Sequence, residues 1–288
     1  MDEELAEFDT LWDFDNPTET EKRFRSLLPA WGANISLRAE LLTQIARAQG
    51  LQRRFEEALA TLDNVEALLT NLPLRPRIRY LLERGRVLNS AGDPSAARPF
   101  FMEALQLAET EPQEAFFAID AAHMLAIVSP DEALAWNQRA LALADATPDA
   151  RAQNWRGSLL NNMGWAYHER GDFPEALSYL EAALAFRRQQ GQASEIRVAR
   201  WCVARVCRDL GQLKAALDEQ RELLAEYEAI GERSGYVYEE IGECLLALGD
   251  VTDSQAYFAL AYVVLSADPW FVANEPERLR RLRLLAQE

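Results

Sequence analysis

The chain has 288 residues, of which 49% are hydrophobic, and it carries a formal net charge of −16. This apolar fraction is typical of a folded chain and is too high for intrinsic disorder. The negative charge disfavours nucleic acid as a partner, because it repels a phosphate backbone. The apolar runs are too short for a membrane span, and the acidic start is unlike a signal peptide, so we expect a cytoplasmic protein with no membrane partner.

The first predicted element is a helix that caps the amino-terminal end of the fold. The stretch Asn16-Pro17-Thr18-Glu19 places proline at the first helical position and glutamate where it completes a capping box. We expect this helix to run to about Leu28, just before Pro29. Residues 1–34 are therefore assigned to amino-terminal capping helices.

Three later stretches, residues 81–104, 160–183 and 238–261, share one pattern. In each stretch a glycine lies inside a predicted helix, and a Gly-Asp pair follows seven residues later. Small, bulky and small residues then recur at fixed offsets. The pattern predicts a helical hairpin, because glycine lets two helices approach closely, ends the first helix with a positive φ, and is followed by a capping aspartate.

Weaker copies of the pattern extend it over residues 35–268, which we divide into about six hairpins. One copy lacks its turn glycine, and its second helix is expected to start at Ala133. A last helix from Ala273 to Gln287 would bury its leucines, including Leu284, so residues 273–288 are assigned to a carboxy-terminal cap. The turn glycines are predicted at Gly50, Gly92, Gly171, Gly211 and Gly249.

These hairpins resemble the tetratricopeptide repeat, most closely at residues 160–183. The turn glycines recur at steps of roughly forty residues, longer than the 34-residue standard, which indicates lengthened second helices. With Leu160-Asn161-Asn162 and Arg187-Arg188, this spacing is similar to kinesin-light-chain-like arrays. The resemblance implies an all-α fold, a right-handed α-solenoid of antiparallel helix hairpins, and a single array over residues 1–288.

The resemblance also implies that the first helix of each hairpin lines a concave groove that faces a partner. Glu40, Leu82 and Tyr236 lie at such positions. The partner-binding residues carried over from the family are Gln44, Arg47, Arg79, Arg86, Asn89, His123, Asn161, Trp165, His168, Trp201, Arg205, Arg208, Glu239 and Glu243.

This set contains more arginine, tryptophan and histidine than an acidic chain suggests. Arginine and tryptophan often carry binding energy, and arginine pairs bidentately with carboxylates. Two structural alternatives remain open. Each arginine could pair with a carboxylate one turn away, and Trp165 and Trp201 could belong to the core. The chaperone-binding carboxylate clamp is matched only in part, because two of its slots hold Leu82 and Cys202.

Motifs for catalysis are missing from the sequence. It has no phosphate-binding glycine loop, no Gly-x-Ser-x-Gly and no His-Glu-x-x-His. Its cysteines, Cys202, Cys207 and Cys244, are too few and unsuitably spaced for a disulfide framework or a usual zinc site. We therefore predict a protein that is not an enzyme and has neither a metal site nor a cofactor.

The predicted function is a protein–protein interaction module that binds a peptide or protein segment, with acidic residues among its contacts, in the groove. Two alternatives stay open. One is a regulatory receptor for a short signalling peptide, although little of the chain precedes the repeats to form an output module. The other is an assembly scaffold that self-associates, for example as a homodimer.

Overall fold

The computed structural model describes residues 8–31 and 33–287, and within these residues every regular element is a helix. The chain divides into two compact units, Met1–Leu159 and Leu160–Glu288. Unit 1 contains α1 (Pro17–Trp31), α2 (Ile35–Leu51), α3 (Phe55–Glu66), α4 (Leu74–Ser90), α5 (Pro94–Ala108), α6 (Ala115–Val128), α7 (Ala133–Ala146), α8 (Ala150–Gln153) and the start of α9 (Trp155–Glu169).

Unit 2 continues α9 and contains the remaining helices: α10 (Phe173–Gln190), α11 (Ala193–Asp209), α12 (Leu213–Ala229), α13 (Gly235–Leu248), α14 (Val251–Leu265), α15 (Pro269–Asn274) and α16 (Pro276–Leu285). Short 3-10 turns at Phe8–Leu11, Pro112–Glu114 and Pro130–Glu132 precede α1, α6 and α7. None of the described helices is long and apolar enough to cross a membrane.

Consecutive helices pair into six hairpins, α2–α3, α4–α5, α6–α7, α9–α10, α11–α12 and α13–α14, which confirms the predicted all-α fold. The second helix begins at Ala133 in the hairpin that lacks a turn glycine, as predicted. Lengthening of the second helix is greatest in α10 and α12, with 18 and 17 residues, against 12 in α3. Assignment of the whole chain to one array stays a prediction, and residues 1–7 of its cap lie outside the described residues.

Three of the six hairpins close at the glycines that the pattern placed inside their first helices. A Cβ added to Gly85 would lie 2.6 Å from the ring of Phe101, and one added to Gly164 would lie 2.5 Å from Leu180 Cγ. A Cβ added to Gly242 would lie 2.8 Å from the ring of Phe258. Only a residue without a side chain lets these large core residues pack against the helix backbone.

Four of the five predicted turn glycines have a positive φ, whereas Gly50 does not. The helix α2 continues through Gly50 to Leu51, and Arg53 adopts the left-handed conformation instead, with φ of 61°. The first turn is longer than the others, so the direction of the chain reverses after the glycine. Extra residues were predicted in this first turn, and the positive φ predicted at Gly92, Gly171 and Gly249 is present at all three.

Both ends of the fold differ from the prediction in detail. Helix α1 runs through Pro29 to Trp31, whose ring packs edge-on against Phe8 at 5.5 Å and so keeps the last turn in place. At the other end, Pro276 starts a new helix, so two short helices replace the single one predicted. Leu284 is 60% exposed there and does not belong to the buried side.

Candidate functional site

Unit 1 contains a cavity of about 460 Å³ on the face formed by its first helices. We call it the arginine pocket. This volume lies within the range of ordinary ligand sites. Helices α2, α4 and α6 supply most of its wall, and the segment before α1, helix α8 with the residue after it, and the start of α9 complete it. It is lined by Trp12, Phe14, Arg47, Arg79, Leu82, Glu83, Arg86, Phe116, Phe117, Asp120, His123, Met124, Arg151, Asn154 and Trp155.

Two arginines of the pocket are held by carboxylates of unit 1. Arg86 donates to Glu83 at 2.6 Å and to both carboxylate oxygens of Asp120. Arg79 lies 3.0 Å from Glu40 in an ion pair whose two side chains are buried. Burial raises the pKa of Glu40, although the neighbouring Arg79 opposes that shift. These guanidiniums already have anionic partners: Glu40 and Asp120 lie on other helices, and Glu83 lies one turn from Arg86 on α4.

Arg47 is held differently, by aromatic rings. Its guanidinium carbon lies 5.4 Å from the centre of the Trp12 ring and 5.3 Å from that of Phe14. Its nearest carboxylate is Glu83, at 3.6 Å. The two rings stack on each other at 4.8 Å with an interplanar angle of 7°. Cation–π contact of this kind orients a guanidinium without neutralising it.

The other predicted residues of unit 1 take separate positions. Gln44 is 1% exposed and accepts a hydrogen bond from Trp12 Nε1 at 2.9 Å, so it lies beneath the pocket wall. Asn89 lines a smaller neighbouring cavity of about 160 Å³. His123 lines the arginine pocket with its ring 5.2 Å from that of Trp155. Burial lowers the pKa of His123.

Unit 2 carries a row of aromatic rings along its first helices, which we call the aromatic ladder. It consists of Trp165, Trp201, Tyr236 and Phe271, with successive ring centres 6.0, 5.8 and 5.9 Å apart. The first three rings are partly exposed, whereas Phe271 is buried. The ladder brings together three residues that the sequence placed on separate repeats.

Two guanidiniums are inserted along the ladder. Arg205 lies 5.5 Å from the ring centre of Trp165 and 5.6 Å from that of Trp201. Arg278 lies 5.5 Å from Tyr236 and 5.4 Å from Phe271. Each arginine therefore spans two neighbouring rings, which fixes the spacing of the row.

The arginines of unit 2 differ in how firmly carboxylates hold them. Arg208 donates to the buried Glu240 at 2.8 Å and lies 3.0 Å from Asp209. Arg205 reaches Glu240 only at 3.3 Å. Burial raises the pKa of Glu240, against the effect of Arg208. Arg205, between two indole rings, is thus more loosely paired than Arg208.

The remaining predicted residues of unit 2 flank the ladder. Glu239 accepts three hydrogen bonds from Arg278, between 2.6 and 3.1 Å, and Glu243 pairs with Arg281. His168 Nε2 lies 2.7 Å from Asp209 Oδ2. Asn161 is partly exposed on α9. The structure does not test whether any of the fourteen residues contacts a partner.

Several residues of the arginine pocket were not predicted. Phe116 and Trp155 lie outside the positions that the family pattern marks, and Trp12 and Phe14 precede the first repeat altogether. The one sequence signal for Trp12 and Phe14 is the Trp-Asp-Phe run that precedes the capping helix. A repeat pattern cannot place such a segment, because its position depends on long-range packing.

The site residues provide binding groups rather than an activated nucleophile. Burial raises the pKa of the Cys202 thiol to about 11 and that of Cys244 to about 12, so both stay protonated near neutrality. Within the described residues, no cluster of three or more His, Cys, Asp or Glu side chains could hold a metal ion.

Comparison with known families identifies part of the chain. The model of the tetratricopeptide repeat matches residues 129–189, which include the second helix of the third hairpin and nearly all of the fourth. No curated protein matches the chain.

Solved structures of repeat proteins share the fold. BtubC (BKLC) from P. vanneervenii has a TM-score of 0.60 at 15% identity and covers 80% of this chain and 94% of its own. A putative kinesin light chain of nearly identical TPR-like repeats from Podosopora anserina has a TM-score of 0.53 at 16% identity, with coverages of 71% and 99%. NprR in complex with its cognate peptide NprX has a TM-score of 0.56 at 12% identity, with coverages of 96% and 81%. Kinesin-light-chain-like repeats are thus among the structural neighbours, as the sequence pattern predicted.

Proposed function

Because this chain is built from helix hairpins of the tetratricopeptide repeat type, we propose that it is a non-catalytic module that binds a peptide or protein segment along its first helices. The aromatic ladder carries this proposal. It offers three partly exposed rings at steps near 6 Å with a loosely paired arginine between the first two. Side chains two apart on an extended segment recur at about 6.5 Å, so such a segment could contact successive rings.

The chemistry of the ladder fits a binding role better than a purely structural one. Tryptophan, tyrosine and arginine are the residue types that most often dominate binding energy. The first helices also carry the arginine pocket in unit 1, so the side chains that we propose for partner binding lie mainly on first helices in both units. The cytoplasmic location remains part of this proposal.

The test is selection of linear peptides from a random library on the immobilised protein, followed by titration of the selected peptides. We expect Trp165→Ala combined with Arg205→Ala to weaken binding at least tenfold, because truncation of such residues typically costs more than about 1–2 kcal/mol. A matched control exists on a second helix, where Arg139 lies 5.9 Å from the ring of Trp136. Trp136→Ala with Arg139→Ala should leave the affinity unchanged, and equal losses in both double variants would refute the ladder as the binding surface.

A second candidate function is that of a receptor for a short signalling peptide. The likeness to NprR, solved in complex with its cognate peptide NprX, favours it. Calorimetry with the peptide-sized fraction of a cell extract would distinguish the two candidates. Heat of binding without a change in molecular size indicates a short peptide, whereas growth of the complex with a protein fraction indicates a protein segment.

A further inference from the structure

In the arginine pocket, no carboxylate of the described residues lies within hydrogen-bond distance of the charged Arg47 guanidinium. Its guanidinium makes no hydrogen bond to any residue in 8–31 or 33–287, and Glu83, at 3.6 Å, is engaged by Arg86 at 2.6 Å. Its side chain is 30% exposed, against 15% for Arg86 and 8% for Arg79. Arg47 therefore has the most exposed of these three side chains.

The protein holds Arg47 in place before any ligand arrives. Trp12 and Phe14 stack against each other, and the guanidinium lies close to both rings. A hydrogen bond from Trp12 Nε1 to the buried Gln44 fixes the first ring. Because the side chain is already ordered, binding an anion costs less conformational entropy than it would at a flexible surface arginine.

The electrostatic environment of Arg47 supports the same conclusion. Burial lowers its pKa, and the positive charge of Arg86 lowers it further. At Arg86 burial also acts to lower the pKa, but Asp120 and Glu83 outweigh it, so the pKa of Arg86 is raised. Glu83 and Asp120, both bound to Arg86, compensate this partly desolvated cation only in part, and a bound anion would relieve the remainder.

The carboxylates near Arg47 favour an anion with a single negative charge over a dianion. Glu83 and Asp120 lie in the same wall of the pocket, and both are committed to Arg86. A dianionic phosphate would bring its second charge close to these carboxylates, whereas a carboxylate would bring only the one that Arg47 can match. Phe14, 58% exposed beside the guanidinium, would contact an apolar group next to that carboxylate.

We propose that Arg47 and the Trp12–Phe14 pair form a site for one carboxylate that has an apolar neighbour, presented by an acidic side chain of the bound segment. This proposal rests on the proposed binding function, and it specifies the chemical group that unit 1 recognises. It also assigns a binding role to the segment before α1, which lies outside the repeats.

The test uses a peptide selected on the protein, made in three versions with glutamate, glutamine or phosphoserine at one position. We expect the glutamate version to bind about tenfold or more tighter than the glutamine version, which is the usual effect of a charged hydrogen bond. Arg47→Met should abolish that difference. Phe14→Ala should weaken binding of the glutamate version while preserving the ratio of its affinity to that of the glutamine version. Arg139→Met is the matched control, because Arg139 also contacts one tryptophan and pairs with Glu109 at 2.7 Å.

Failure of this proposal can be told apart from failure of the proposed function. Suppose that peptides bind, and that Arg47→Met keeps both the circular dichroism spectrum and the preference for glutamate. The carboxylate site is then refuted, whereas the proposed binding function is not. Tighter binding of the phosphoserine version refutes the carboxylate site as well. If no peptide binds, the binding function fails, and calorimetry with the α-amide of N-acetylglutamate, which carries the side-chain carboxylate alone, still tests the site. Heat that disappears in Arg47→Met supports a free carboxylate as ligand, and equal heat in both proteins refutes the site.

Discussion

His123 shows how burial of a single residue couples stability to pH. Its ring lies in the wall of the arginine pocket, and burial lowers its pKa below the ordinary value of 6.5. Asp120 and a hydrogen bond with Asn137 oppose this effect, whereas Arg86 adds to it. The charged form of the ring is therefore less stable in the folded protein than in the unfolded chain.

The sign of the resulting pH dependence follows directly. Below about pH 6.5 the unfolded chain binds a proton at His123 that the folded protein does not, so the free energy of unfolding decreases as the pH falls through this window. We expect His123→Gln to remove this contribution and to flatten the pH dependence. Urea unfolding at pH values from about 5 to 7.5 measures it in both proteins. Parallel curves would contradict the assignment.

Individual ion pairs at the residue scale could not be read from the sequence. The pattern allowed each arginine a carboxylate one turn away, yet Arg79 pairs with Glu40 and Arg208 with Glu240, each on another helix. Partners on different helices depend on how hairpins stack, which a single-helix rule does not describe. Only Arg86 also finds a partner, Glu83, one turn away on its own helix.

At the scale of the helix pair, the close approach at Gly85 is the feature on which α4 and α5 depend. A Cβ at this position would lie 2.6 Å from the ring of Phe101, which is fully buried. We expect Gly85→Ala to lower the free energy of unfolding by about 1–3 kcal/mol, the usual cost of overpacking. This loss should appear even though alanine favours a helix by about 1 kcal/mol over glycine. Denaturant unfolding measures it.

Two further variants separate overpacking from other effects. Gly50→Ala, in the neighbouring helix α2, places its Cβ 3.3 Å from Val87 Cγ2, a contact that a small shift can relieve. We expect it to be close to neutral or stabilising. Adding Phe101→Leu to Gly85→Ala should recover part of the loss if the clash with the ring is its cause. If the double variant loses the sum of the free energies of unfolding that the two single variants lose, the clash is not the cause.

Hairpins were predictable from the sequence because their determinants are local. Glycines at fixed offsets mark the close approach or the turn in most of the hairpins, whereas the start of α7 at Ala133 was predicted without a turn glycine. The exceptions arise where packing or a proline changes a helix end, as at Trp31 and Pro276. Gly50 is a further exception, because the longer first turn moves the positive φ to Arg53.

At the scale of the whole chain, the types of residue at the candidate site could be predicted, but only some of the individual residues that line it. The repeat pattern marked Arg47, Arg79, Arg86 and His123, and all four line one cavity. It could not mark Trp12, since that residue precedes the repeats and is positioned by a long-range hydrogen bond to Gln44. The site therefore combines a periodic contribution from the hairpins with an irregular one from the segment before α1.

The net charge of the chain leads to a prediction that opposes the usual salt dependence. With 46 acidic and 30 basic residues, the protein as a whole repels an acidic ligand, while Arg47 attracts it at short range. The long-range repulsion is screened at about 10 Å in 0.1 M salt, whereas a partly buried ion pair is screened much less. Raising the salt from about 10 to 150 mM should therefore speed the association of a glutamate-containing peptide.

Stopped-flow measurement of the association rate constant checks this prediction, with the glutamine version of the same peptide as the control. The control carries one negative charge fewer, so its rate constant should change less with salt. The dissociation rate constant of the glutamate version should rise only modestly, because the contact with Arg47 is short and partly shielded from solvent. A rate of association that falls as salt is added would mean that a local positive field, rather than the net charge of −16, governs the approach of the ligand.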